Sequence, residues 1–268
     1  MEASERRVAV VGGSERASDL RDAVRDAGGR LADLARASTE TEATTGAEAI
    51  GDGDAALLVA VGDEAIRNAV VAAPDGTVIP VADRRLAFDR DGAVDALRRL
   101  LDGEETGEPV RHVTHPVLAV DDGGVTSTRA AFDVALVTDE PARISEFAVG
   151  FPRGRDESVR ADGVVAATPL GSDGYANAAG GPLVEPGGGL PVAPIAPFST
   201  RTDAWVTADR VRLTVEREGE PIALVVDGER RGAVEPHRPI EIEAVDRVAF
   251  AAPRGRRERA DRKHSNNS

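Results

Sequence analysis

The sequence predicts an α/β N-terminal domain built on a parallel sheet, followed by a mostly-β C-terminal domain. Apolar runs at residues 8–12, 55–61 and 77–82 alternate with segments whose apolar residues recur at helical spacing. Beyond about residue 103 the pattern changes to short apolar runs separated by turn-forming Gly, Asp and Pro. The 268 residues suffice for one large domain or two moderate ones, each able to bury a core.

The first strand ends in Gly12-Gly13-Ser14, and the helix behind it carries Leu20, Ala23, Val24 and Ala27 before Gly28-Gly29 stops it. The run at 55–61 leads through Gly62-Asp63-Glu64 into a second helix, EAIRNAVVAA. A strand at 77–82 follows, then a helix over 91–101 with Val94, Leu97, Leu100 and Leu101 on one face, Asp91 as its cap and Gly103 as its stop. Residues 103–115, with Gly and Pro among polar groups, read as a linker. The boundaries that follow are 1–105 for the α/β domain, 106–252 for the β-rich domain and 253–268 for a polar, Arg-rich, disordered tail. In the β-rich part a hairpin turns at Asp121-Asp122-Gly123-Gly124, and short strands recur at 144–149, 163–167, 204–207, 211–215, 222–226 and 240–242. Ligands in open parallel sheets sit at the carboxyl ends of strands, which singles out the turns at Gly12-Gly13-Ser14 and Gly62-Asp63-Glu64.

Composition narrows the function. The chain carries 33 basic and 47 acidic residues, a formal charge of −14, which argues against nucleic acid and against an anionic membrane surface as partners. All basic residues but Lys263 are arginine, aromatics make up 3%, and cysteine is absent. This pattern fits a cytoplasmic protein adapted to high salt, where screening blunts carboxylate repulsion. Without cysteine there is no disulfide, thiolate nucleophile or thiolate metal site. His112 and His115 fall in the expected linker and read as exposed, with no metal role. The N-terminus lacks a signal-peptide core, and no apolar run approaches the roughly 20 residues of a membrane span.

The segment 160–186, RADGVVAATPLGSDGYANAAGGPLVEP, draws most attention. A buried strand opens at Thr168-Pro169 into a loop holding Gly171, Ser172, Asp173, Gly174 and Tyr175, and Gly180-Gly181 precede Pro182. Glycines and small hydroxyls at a strand end let a ligand approach the main chain. The order Asp162-Gly163, apolar strand, Thr168-Pro169-x-Gly171-Ser172-x-x-Tyr175, Ala179-Gly180-Gly181-Pro182 resembles the C-terminal signature of the NAD kinase family. That family phosphorylates the 2′-hydroxyl on the adenosine ribose of NAD.

The resemblance implies a Rossmann-like N-terminal domain joined to an NAD kinase-like β domain. Val61-Gly62-Asp63-Glu64 stands where the family has Gly-Gly-Asp-Gly: the aspartate is kept, two glycines are not. Asp63 is thereby implied as the base that activates the ribose hydroxyl, with Gly62 and Glu64 beside the phosphates. Residues 80–85 replace a usually glycine-rich turn. Phe132-Asp133 stands where Asn and an acidic residue grip the adenosine part; Asp133 is kept, and Phe132 is able to stack on an adenine. Arg160 and Asp162 match nucleotide-contacting positions at the ribose or nicotinamide side. In the loop Thr168, Gly171, Ser172 and Tyr175 match, whereas Leu170, Asp173 and Gly174 replace Thr, Thr and Ala. Residues 192–199 are similar to the strand and turn after the loop, and Asp227-Gly228-Glu229 to a late turn.

Carried over, this implies transfer of a phosphoryl group from ATP or polyphosphate to NAD, with Mg²⁺ or another divalent ion as cofactor, in a homo-oligomer, dimer or tetramer. Two readings stay open beside it. One is a catalytically impaired paralogue that binds NAD(P) or a nucleotide as a regulator; the other is a relative acting on a different hydroxyl.

Overall fold

The computed structural model describes residues 7–13, 15–32, 57–73, 75–102, 110–124, 128–140, 143–152, 154–199, 203–217, 219 and 221–254. Ser14, the first seven linker residues (103–109), the start of the strand expected after Gly124 and the tail from 255 lie outside them.

The N-terminal half alternates as expected. Strand β1 (Arg7–Val11) leads into helix α1 (Glu15–Asp26) and the short β2 (Arg30–Leu31); β3 (Leu57–Val61) leads into α2 (Asp63–Ala72), and β4 (Thr77–Val81) into α3 (Arg90–Leu101). The order β2-β1-β3-β4 is parallel throughout. Helices cover both faces. Leu20 and Val24 of α1 pack with Leu97 and Leu100 of α3 on one side, and Ile66, Ala69 and Val70 of α2 pack on the other. With both faces covered, β3 is buried along its whole length and reads as a continuous apolar run. Helix α3 is capped by Asp89, whose carboxylate accepts from the Gly92 amide at 2.8 Å; Asp91, the expected cap, lies in the first turn instead.

The second half is a sandwich. One layer is a six-stranded sheet in the order β12-β11-β10-β7-β14-β15, built from β7 (Asp133–Thr138), β10 (Gly163–Ala167), β11 (Leu190–Ile195), β12 (Trp205–Thr207), β14 (Ile222–Val226) and β15 (Glu229–Val234). The other layer contains β5 (Val110–Asp121), β6 (Thr128–Ala130), β8 (Ser145–Phe151), β9 (Arg155–Ala161), β13 (Arg210–Val215) and β16 (Ile240–Pro253). Leu136, Val164, Val192 and Leu224 of the first layer close on Phe147, Val149, Leu213 and Ile242 of the second. Period-2 alternation along β13 (exposed, buried, exposed, buried) is what allows one face to do this.

The second layer is continuous with the parallel sheet. Residues Ile240 to Glu243 of β16 pair with β13, and Ala249 and Phe250 pair parallel with Thr77 and Val78 of β4, giving ten strands in all. Strand β5 runs antiparallel along β16, from Asp121 opposite Glu241 to Val110 opposite Pro253. This corrects the linker expectation for residues 110–115. His115 is 2% exposed, stacks on Phe250 with ring centroids 5.0 Å apart, and bonds the Ala131 carbonyl through Nε2 at 3.0 Å. Burial, partly opposed by that bond, pushes its pKa down to about 4. No helix among the described residues is long and apolar enough to cross a membrane.

Candidate functional site

The carboxyl end of β3, the turn after β4, the β6–β7 corner and the loop after β10 converge. At Gly62 the backbone takes φ 90°, a conformation that suits glycine, and Asp63 begins α2 immediately after it. Asp63 and Glu64 are exposed in the first turn, where the helix dipole favours negative charge.

Arg84, in the turn after β4, joins the parts. Its Nε and one terminal nitrogen donate to the two oxygens of Asp63 at 2.8 and 2.9 Å, a bidentate pair. The other terminal nitrogen is 3.5 Å from Oδ1 of Asp173. The guanidinium lies over the Phe132 ring, 4.1 Å from its centroid. Nothing local in the sequence marks Arg84, because its partners lie 21 residues before it and 48 and 89 after it. Its neighbour Arg85 is directed elsewhere: its backbone N–H donates to Asp173, and its guanidinium holds Glu185 and the Val184 carbonyl.

The loop is fastened from within. Thr168 Oγ1 donates to the Ala131 carbonyl at 2.8 Å and accepts from the Gly171 amide at 3.1 Å. Ser172 Oγ donates to Pro169 and accepts from Val184. Gly171 sits so close to Phe132 that a Cβ would lie 2.1 Å from the Phe132 carbonyl oxygen. Leu170 is fully buried beside Phe132 and Ile66, which presses the loop onto α2. A single 3-10 turn, Gly171–Asp173, then presents Asp173, and Gly174 opens the one-turn helix α4 (Tyr175–Ala178). Thr168, Leu170, Gly171 and Ser172 are thus buried, while Tyr175 is 42% exposed.

Asp133, at the start of β7, pairs with Ala167 at the end of β10, beside the loop. Burial first, and the Asp227 charge second, push its carboxyl up to about 6 against the pull of Arg84. Asp227 occupies φ 50° in the β14–β15 turn, where its carboxylate accepts from the amides of Ala131 (2.8 Å), Phe132 (2.7 Å) and Asp133 (3.1 Å). Burial raises the Asp227 carboxyl too, opposed by those three bonds. The Tyr175 hydroxyl is raised by partial burial and by the charges of Asp133 and Asp162, so these three groups share one electrostatic environment.

Asp63, Phe132, Asp133, Asp173 and Tyr175 are therefore gathered around Arg84 and the loop, with Gly62 and Glu64 alongside. Phe132 is 4% exposed, and Arg84 lies over its ring. Arg160 stands apart on β9, with Nε 3.2 Å from Glu146. Glu229 meets Arg67, one helical turn beyond Asp63 on α2. Among the described residues no three His, Cys, Asp or Glu side chains are arranged to hold a metal ion. Both oxygens of Asp63 are also committed to Arg84. Among the described residues, therefore, no all-protein cage for a divalent ion is formed.

The chain resembles known proteins in its C-terminal domain and in its fold. Residues 133–251 match the ATP-NAD kinase C-terminal domain. An NAD kinase of Methanoculleus marisnigri is 34% identical over 136 residues, 50% of this chain and 50% of that one. The chain spans between 25% and 56% of the curated relatives it matches. The crystal structure of an NAD kinase from Archaeoglobus fulgidus in complex with ATP superimposes with a TM-score of 0.65 at 20% identity, over 91% of this chain and 92% of that one. Yeast NADH kinase complexed with NADH gives 0.69 at 15% identity, over 92% and 83%. These two establish a common fold. With the domain match over 133–251, they lead to one conclusion: the chain carries an ATP-NAD kinase C-terminal domain, within the fold shared by these NAD kinases.

Proposed function

We propose that the chain is an NAD kinase-like phosphotransferase, moving a phosphoryl group from ATP, or from polyphosphate, to the 2′-hydroxyl of the adenosine ribose of NAD to give NADP. With ATP, the ribose oxygen forms a bond to the γ-phosphorus. The bond from that phosphorus to its bridging oxygen breaks, its electron pair leaving on ADP, and the hydroxyl proton passes to Asp63. A divalent ion such as Mg²⁺ would arrive on the ATP phosphates, as part of the substrate.

The supporting observation is the bridge from Asp63 through Arg84 to Asp173, which brings the strand-end aspartate and the Gly-rich loop to one guanidinium. Such transfer depends on positioning and electrostatics more than on covalent chemistry, so the meeting of these elements is what it requires. The nucleotide would lie over the loop from Thr168 to Tyr175 with Asp133 beneath it, and Asp162 and Arg160 toward the ribose or nicotinamide side. That the Archaeoglobus kinase holds ATP and the yeast kinase holds NADH on this fold supports the substrate pair. A cytoplasmic location and a dimeric or tetrameric assembly belong to the same reading.

A second reading is favoured by the commitment of both Asp63 oxygens to Arg84 and by Val61 and Glu64 at positions where glycine is usual. It is a nucleotide-binding regulator without turnover. Incubation with NAD, ATP or polyphosphate, and Mg²⁺ in molar salt, with NADP read by an NADP-specific dehydrogenase, separates the two. The kinase reading expects NADP, and a loss of about 10²–10⁴-fold in Asp63→Asn with NAD binding retained. NAD binding with no NADP selects the regulator.

A further inference from the structure

The surroundings of Arg84 are short of positive charge. Asp63, Asp133, Asp173 and Asp227 surround it, Glu64 stands beside Asp63, and Arg67 and Arg85 are each held by a glutamate, Glu229 and Glu185. A triphosphate entering here meets carboxylates unless a cation is ready for it. Arg84 meets that need by position and by shape. A guanidinium offers parallel N–H groups that fit two carboxylate oxygens or two phosphate oxygens with nearly the same geometry. It is held over the Phe132 ring by Asp63 and Asp173, and its side chain is 17% exposed, so it is preorganised and still reachable.

We propose that Arg84 is a phosphate-binding residue: when a polyphosphate enters, its guanidinium exchanges the two Asp63 oxygens for two oxygens of the phosphoryl group to be transferred. This rests on the phosphotransferase reading and extends it. The exchange satisfies two demands at once. The phosphate gains a fixed positive partner beside Glu64, and both Asp63 oxygens are released from Arg84 and free to accept the ribose proton. Asp173, 3.5 Å from the other terminal nitrogen, keeps the guanidinium in place while it changes partners. Arg84 would thereby serve the turn in which two glycines of the family pattern are missing.

The test uses the full chain in molar salt with Arg84→Gln, which keeps a flat polar group over Phe132 without the charge, and Arg84→Lys, which keeps the charge without the fork. Inorganic tripolyphosphate and ATP binding are read by calorimetry, NAD binding separately, and folding by circular dichroism and melting. Arg84→Gln should weaken tripolyphosphate and ATP about 10- to 100-fold, as expected for loss of a charge-assisted pair, and leave NAD within about threefold. Arg84→Lys should fall between, and NADP formation should drop in both. Wild-type tripolyphosphate affinity in a folded Arg84→Gln overturns the proposal, and so does NADP formation that rises, because Arg84 would then be an obstruction. If wild type forms no NADP but binds tripolyphosphate in an Arg84-dependent way, the kinase reading fails and the phosphate site stands. If wild type does not bind tripolyphosphate, the phosphate site fails whatever the activity.

Discussion

Replacing Asp133 by Asn should make the protein more stable at neutral pH, and the gain should depend on pH in a specified way. The carboxyl titrates at about 6 in the folded chain against 3.8 in the free residue, mainly because burial disfavours its charge. The folded state therefore binds a proton more readily than the unfolded state between those values. Asp133 contributes its full share of stability only below about 3.8 and loses it as pH rises through 6. At 1.36 kcal/mol per pKa unit, the ionised carboxylate costs about 1 kcal/mol at pH 4.5 and about 3 kcal/mol at pH 7.5. Asn cannot ionise and has nearly the same shape. Its advantage over wild type, measured by urea unfolding at constant salt, should widen by about 2 kcal/mol between pH 4.5 and 7.5. Molar salt should leave most of it, since desolvation is not screened as the Asp227 repulsion is. An advantage that is flat or narrows with pH would refute the reasoning. A stabilised Asp133→Asn that loses nucleotide affinity would show a carboxylate retained for binding at the expense of folding.

Three further outcomes follow from other parts of the structure. His115 is buried and neutral, so its share of stability is complete above pH 6.5 and is lost as pH falls toward 4; unfolding at pH 7 and 4.5 should show His115→Phe removing about 2–3 kcal/mol of the acid-induced loss. Gly171→Ala places a methyl 2.1 Å from the Phe132 carbonyl oxygen, and should lower stability by about 1–3 kcal/mol and weaken nucleotide binding, read by melting and calorimetry on one preparation. The formal charge of −14 should make the melting temperature rise from dilute buffer to molar salt; a flat or falling curve counts against adaptation to salt.

The fold was legible where the signal is periodic and local. The buried runs of β3 and β10, the helical spacing in α1 and α3, and the Asp227-Gly228 turn were all readable, because backbone geometry and one-sided burial act over a few residues. Residues 110–115 were misread. From Arg111 to His115 β5 is polar but for Val113, and what buries His115 is Phe250, more than a hundred residues later. The loop at 168–175 was readable as a landmark but not in its interior. Nothing local says that Thr168 and Ser172 spend their hydroxyls on the chain itself, or that Leu170 fastens the loop to α2. Asp63 was found through family resemblance, whereas Arg84, which departs from the family pattern, became visible only when the fold brought its partners to it.

Strand β16 also constrains the order in which the molecule is assembled. Among the described residues, the parallel strands β1 to β4 join the rest of the ten-stranded sheet through the pairing of β4 with β16, and β13 and β5 reach the parallel strands by the same route. Every strand that pairs with it comes earlier in the chain. During synthesis, the parallel strands and the sandwich strands must wait as separate sheets, each with an open edge, until residues 240–253 emerge and join them. Until then only direct contacts, such as Leu170 on α2 and Arg84 and Arg85 on Asp173, can hold Asp63 opposite the loop at 168–175. Shortening the chain before residue 240 should therefore give two loosely associated, aggregation-prone halves rather than a smaller folded protein.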